Sequence, residues 1–247
     1  MKKILLLIFS CFLIFGCFEQ NGDVKKESLK TENNEKDKGK IKLSEYKTIR
    51  NDEKIKKIIE NVLNDYGFDR ESFKKAIDDN DEKINIAADD FNKENKITPI
   101  GEKKTDKIKV ELYERQLNDD DFISDYTARG NITFSCISNR YFSFDRIIVL
   151  TDKNRYEIKG DVFSQDSDFE SGKSYQNVKY AIDTDKLTLI FDIAQSKNVR
   201  IRFTKNDNNL DFSLSNEEIE RVKVMANFLY IYYTYKDILT KTEEALK

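Results

Sequence analysis

The sequence predicts an α+β fold, in which an antiparallel meander sheet of about seven to nine strands packs with an N-terminal helical hairpin and a long C-terminal helix. Three patterns lead there. Apolar residues recur at helical spacing from about 49 to 92, alternate with polar ones over much of 107–214, and return to helical spacing after 216. No long spacer interrupts this succession, so residues 46–247 read as a single domain.

Ile55, Ile58, Ile59, Val62 and Leu63 stand at i, i+3, i+4, i+7 and i+8, the signature of one buried helix face. Gly67 ends that helix, because glycine alone enters the left-handed conformation without a Cβ penalty. Asp69 is placed to cap a second helix carrying Phe73, Ala76, Ile77, Ile84, Ala87, Ala88 and Phe91. A break is predicted around the polar run 78–81, and helices are assigned to 46–95 as a whole. Thr98-Pro99-Ile100-Gly101 then reads as a loop.

From 107 to 214 the period is two. Ile108, Val110 and Leu112 alternate with lysine and glutamate, and Tyr156 and Ile158 alternate with Arg155, Glu157 and Lys159. Leu187, Leu189, Phe191 and Ile193 form a third alternating set, and Val199, Ile201 and Phe203 a fourth. These are half-buried strands, and the turn-like triplets 152–154, 183–185 and 196–198 are short enough to join neighbours as hairpins. The end of the chain, 216–244, is the best-signalled helix. Ser215 and Glu218 form a capping box, followed by Ile219, Val222, Ala226, Leu229 and Tyr233 on one stripe. Lys247 reads as a solvated tail.

The first residues are of another kind. Met1-Lys2-Lys3 precedes an apolar run from Ile4 to Phe15, then Gly16 and Cys17. A twelve-residue run is the length of a signal-peptide core and falls short of the roughly 20 residues that span a bilayer. Residues 1–16 are therefore read as a cleaved lipoprotein signal and Cys17 as the lipidated residue. Residues 17–45 are rich in Lys, Asn, Glu and Asp and offer almost nothing to bury, which predicts a disordered tether. Removing Lys2 and Lys3 with the signal makes the formal net charge of −3 more negative by two.

Ile14-Phe15-Gly16-Cys17 resembles the lipobox of bacterial lipoproteins, and the relaxed box resembles those of spirochaetes. With the tether and a domain lacking His and Trp, the chain resembles the outer-surface lipoproteins of Borrelia-type spirochaetes. The resemblance covers the first 45 residues and, beyond them, composition alone. It implies a lipid anchor on Cys17 in the outer membrane, display at the cell surface, and a role in contact with host proteins or in immune evasion. It carries over no ligand-binding residue.

Composition narrows the chemistry further. The chain has no histidine, which removes Ser-His-Asp and Cys-His catalysis and the usual zinc sites. Cys11 leaves with the signal and Cys17 carries lipid, so Cys136 has no partner for an internal disulfide and reads as a buried, inert thiol in a strand. The run 78–89 offers Asp78, Asn80, Glu82 and Asp89 at calcium-loop positions but has Lys83 where the loop requires glycine. No phosphate-cradling or nucleophile-elbow motif is present. The sequence thus predicts no catalytic residue, no metal and no cofactor, and the interleaved charges argue against nucleic acid as a partner.

What remains is binding. The run Tyr230-Ile231-Tyr232-Tyr233-Thr234-Tyr235 covers every side of a helix, and Tyr232 and Tyr235 are the candidate partner-binding residues. The leading reading is a non-enzymatic surface lipoprotein that binds a host macromolecule. The alternatives are a lipocalin-like carrier of a small ligand, which needs a closed barrel, and a periplasmic structural or assembly lipoprotein.

Overall fold

A computed structural model describes residues 39–159 and 165–246. The predicted signal segment 1–16, the predicted lipidation residue Cys17, the greater part of the predicted tether and Lys247 lie outside the described residues. Among the described residues five α-helices and ten strands make an α+β fold: α1 Leu43–Ile49, α2 Glu53–Asp65, α3 Arg70–Asp81, α4 Thr184–Gln195 and α5 Asn216–Ala245. The strands are β1 Ile84–Asp89, β2 Glu94–Pro99, β3 Ile108–Arg115, β4 Ala128–Ser138, β5 Arg146–Leu150, β6 Arg155–Lys159, β7 Gln165–Glu170, β8 Lys173–Ala181, β9 Arg200–Lys205 and β10 Asn208–Ser213.

The strands form two sheets in place of the one meander predicted. One runs in the order β1-β2-β3-β4-β8-β7, the other β10-β9-β5-β6. Neither order closes on itself, so the barrel of a lipocalin-like carrier is not formed by the described strands. The chain also divides into two compact units where the sequence predicts one domain. The first takes the described residues up to Ala76, Arg115–Thr127 and those from Ile231 on; the second takes Ile77–Glu114 and Ala128–Tyr230.

The first unit is helical. In α2 the apolar spacing buries Ile55, Ile59, Val62 and Leu63. Gly67, at φ 74°, closes it: its N–H donates to the Asn64 carbonyl at 2.9 Å and the Phe68 N–H to the Leu63 carbonyl at 2.8 Å. Asp69 caps α3 as predicted, accepting from the Ser72 N–H at 2.7 Å. The unit begins before residue 46. Ile41 and Leu43 are buried, the Leu43 N–H donates to the Asp121 carbonyl, and the Ile123 N–H donates to the Ile41 carbonyl. Residues 41–45, assigned from composition to the tether, therefore belong to the folded unit, because two apolar residues among the lysines suffice to dock them.

The second unit holds both sheets. In the larger one, Ile132, Phe134 and Cys136 of β4 point to one face beside Ile108, Val110 and Leu112 of β3 and Val178 of β8, all buried. Gly130 sits in this layer because a Cβ there would lie 2.6 Å from Ile182 Cδ1 and 2.8 Å from Leu112 Cδ2. In the smaller sheet, Ile147, Val149, Ile201 and Phe203 are fully buried, with Phe144 edge-on to Phe203 at 4.8 Å.

Two predicted elements change type. The helix expected to continue through Ile84 and Phe91 stops at Asp81, and 84–99 is the β1–β2 hairpin, which takes in Thr98 and Pro99 of the predicted loop and leaves Ile100 and Gly101 as a turn. Its tip is set by Asp89, which accepts from the Phe91 and Asn92 N–H groups, and by Lys93 at φ 52°. The alternating set 187–193 is α4, not a strand. Asp183 caps it by accepting from the Lys186 N–H at 2.9 Å, and Leu189, Ile190 and Ile193 form its buried face. Leu187 and Phe191 fit either period, so the cap decides. The capping box of α5 is present as read, with the Ser215 N–H donating to Glu218 and the Glu218 N–H to Ser215 Oγ. No helix among the described residues is long and apolar enough to cross a membrane.

Candidate binding face

Tyr232 and Tyr235, the predicted partner-binding residues, are buried, with 5% and 4% of their surface exposed. The Tyr126 ring packs against both at 5.4 Å. Helical spacing explains it: Phe228, Tyr232, Tyr235 and Leu239 recur every three or four residues along one buried stripe of α5, while Tyr230 and Tyr233 fall between them and are exposed. The stripe read from the sequence continues from Leu229 to Tyr233, which is exposed; the buried side of the helix there carries Tyr232 and Tyr235. Cys17 lies outside the described residues. Cys136 is fully buried, and desolvation pushes its thiol up to about 12.

A candidate binding surface lies on the outward face of the smaller sheet. The register sets its side chains in a grid. In one rank Arg202 of β9 lies opposite Ile148 of β5, which lies opposite Glu157 of β6; in the next Arg200 lies opposite Leu150, which lies opposite Arg155. Arg146 precedes Ile148 on the same face, opposite Lys159, and Asp211 of β10 flanks Arg202. Four of the ten arginines thus gather on one face, around a half-buried strip of Ile148 and Leu150. Period-two alternation puts them there, since Ile147, Val149, Ile201 and Phe203 take the inner side.

The ion pairs on this face orient the guanidiniums. Arg202 makes a two-pronged contact with Asp211, Nε to Oδ1 at 2.6 Å and Nη2 to Oδ2 at 2.7 Å. Glu157 receives Arg146 at 3.2 Å on one oxygen and Arg155 at 3.0 Å on the other. Hydrogen bonds from these arginines hold the Glu157 and Asp211 carboxyls below the usual carboxylate range. Arg200 is exposed and has no ion pair among the described residues. It borders a hollow of about 180 Å³ that Ile148, Leu150, Arg155, Arg202 and Asp211 also line. Among the described residues five cations, counting Lys159, face two carboxylates here, and the surplus suits an anionic partner.

The outward face of the larger sheet is polar in a different way. Glu111 accepts Lys96 at 2.5 Å and Lys179 at 3.1 Å, the Tyr113 hydroxyl donates to it at 3.1 Å, and Arg129 stacks 4.8 Å from the Tyr113 ring centre. Burial pushes Glu111 up, but the bonds and charges of the two lysines prevail and hold it below its ordinary value. An open cleft of about 470 Å³ beside it is lined by Asn85, Lys96, Thr98 and Glu102. This network spends its charges on one another, whereas the arginine face keeps a guanidinium to offer. Among the described residues no group of three His, Cys, Asp or Glu is placed to hold a metal ion.

The arginine face was not read from the sequence. Arg146, Arg155, Arg200 and Arg202 come from three strands up to 56 positions apart, and only the β6-β5-β9 pairing brings them together. The Arg200 and Arg202 alternation was visible, but it marks a solvated strand face equally well. No family model, curated protein or solved structure matches the chain.

Proposed function

We propose that this chain is a lipid-anchored bacterial surface protein without enzymatic activity that binds a host macromolecule. On this reading Cys17 carries the lipid in the outer membrane, the lysine-rich tether holds the folded part away from it, and the arginine face receives the partner. The observation that carries the binding assignment is the exposed Arg200, which makes no ion pair among the described residues, beside an accessible aliphatic strip. Protein interfaces set an apolar core inside a polar rim and are enriched in arginine, whose planar guanidinium gains two hydrogen bonds on a carboxylate. The mixed surface charge elsewhere argues against nucleic acid.

Protease shaving of intact cells tests the location. Loss of the folded part before the outer membrane is broken supports display, and its survival until lysis favours the periplasmic alternative. Binding is tested by comparing retention of serum proteins on the full chain and on an Arg155→Glu/Arg200→Glu variant. Equal retention by both, with unchanged circular dichroism, discards the arginine face as the docking surface.

A further inference from the structure

The dimensions of the arginine face specify what docks there. Ile148 and Leu150 are two residues apart on β5, hence about 6.7 Å apart on the same face. On either side, one strand spacing of about 4.8 Å away, stand Arg200 and Arg202 of β9 and Arg155 of β6. An α-helix lying along β5 places side chains at i and i+4 about 6 Å apart and has a diameter of about 10 Å with its side chains, so it covers the flanking strands too. Its apolar stripe meets Ile148 and Leu150, while acidic residues on the two shoulders of that stripe reach Arg200 and Arg202 on one side and Arg155 on the other. We infer that the arginine face binds an acidic amphipathic helix of a partner protein.

Two observations favour this occupant over a sulfated polysaccharide. The middle of the face is aliphatic, which a polysaccharide leaves unmatched and a leucine stripe buries. The cationic groups flank the strip and do not form a continuous track, because the strip parts Arg155 from Arg200 and Arg202, Glu157 stands between Arg155 and Lys159 on β6, and Asp211 engages Arg202 from β10. Those two carboxylates hold Arg155 and Arg202 in place, and Arg200, with no such partner, is the group with most to gain from an incoming carboxylate.

The inference rests on the docking-face reading above, and its test separates the two. The full chain in detergent micelles is titrated into a fluorescent helical peptide of about 18 residues with a leucine stripe and glutamates on both shoulders. The same peptide with lysines for the glutamates and a fluorescent sulfated oligosaccharide are the comparison probes. Anisotropy reports binding. The expected result is binding of the acidic peptide that weakens with added salt, is absent for the lysine peptide, and falls at least about tenfold in Arg200→Glu. Leu150→Ser weakens it as well, while Lys104→Glu, in the turn before β3 where Lys104 pairs with Asp168 and Glu170 of β7, leaves it unchanged. Oligosaccharide binding that depends on Arg200, without peptide binding, overturns the helix inference and leaves the docking face standing. If no probe responds to Arg200→Glu, both fall.

Discussion

Arg221 Nη2 lies 2.8 Å from Asp106 Oδ1, with 13% and 4% of the two side chains exposed, so the first turns of α5 are tied to the segment before β3 by a buried ion pair. Asp106 also accepts from the Lys103 N–H at 2.9 Å, which satisfies its second oxygen. Removing the arginine leaves the carboxylate buried without its cation. Arg221→Ala is expected to cost roughly 3 kcal/mol in urea unfolding, and the double variant Arg221→Met/Asp106→Leu less than the single one, since it leaves no orphan charge.

Tyr232→Ser and Tyr235→Ser each delete a buried ring from the contact with Tyr126. Each is expected to lower stability by about 3 kcal/mol, read as a fall in the thermal midpoint. At temperatures where the variants stay folded, peptide binding at the arginine face should be unchanged, in contrast to Arg200→Glu.

Two glutamates give opposite pH dependence. Glu102 has a buried Oε2 without a hydrogen-bond partner, and burial raises its carboxyl above the ordinary value. A raised acid destabilises the fold as pH rises through the unfolded and then the folded value, and the cost persists above both. Glu102→Gln should therefore raise the thermal midpoint at neutral pH and change little below about pH 4.

For Glu218, burial pushes upward, but bonds from the Lys107 and Ser215 N–H groups and the Ser215 hydroxyl prevail and lower the carboxyl. Its stabilisation is present above the unfolded value and is lost as pH falls through the lowered folded one. Glu218→Ala should cost about 1 kcal/mol or more at neutral pH, with the difference from the parent shrinking in acid unfolding curves.

Gly130→Ala forces a methyl against the tips of Ile182 and Leu112. Both tips can rotate away, so the expected loss is about 1 kcal/mol, at the lower end for overpacking. Ile182→Val should recover part of it in the double variant, as measured by denaturant midpoint.

Cys136 provides a probe of opening. Fully buried and with its thiol near 12, it should react with iodoacetamide only in unfolded molecules. The rate of labelling at Cys136, followed by mass spectrometry of the peptide that contains it, should therefore track the unfolding equilibrium across a urea series, and rapid labelling at that residue in the folded protein would contradict the burial.

What the sequence alone determined about this protein is what neighbouring residues decide. Gly67 ends α2 through a local left-handed turn, Asp69 starts α3, and Ser215 with Glu218 starts α5, because each satisfies backbone groups within five residues. The α+β class and the alternation in β3, β6 and β9 are local in the same sense. The strand Ile84–Asp89 and the helix Thr184–Gln195 escaped this reading, since their apolar residues fit both periods and pairing or capping settled the choice. Tertiary structure alone decided that the strands split into two sheets, that Tyr232 and Tyr235 turn inward, and that Arg146, Arg155, Arg200 and Arg202 share a face. Strand order and register come from long-range burial of one face against another, and no spacing along the chain encodes them.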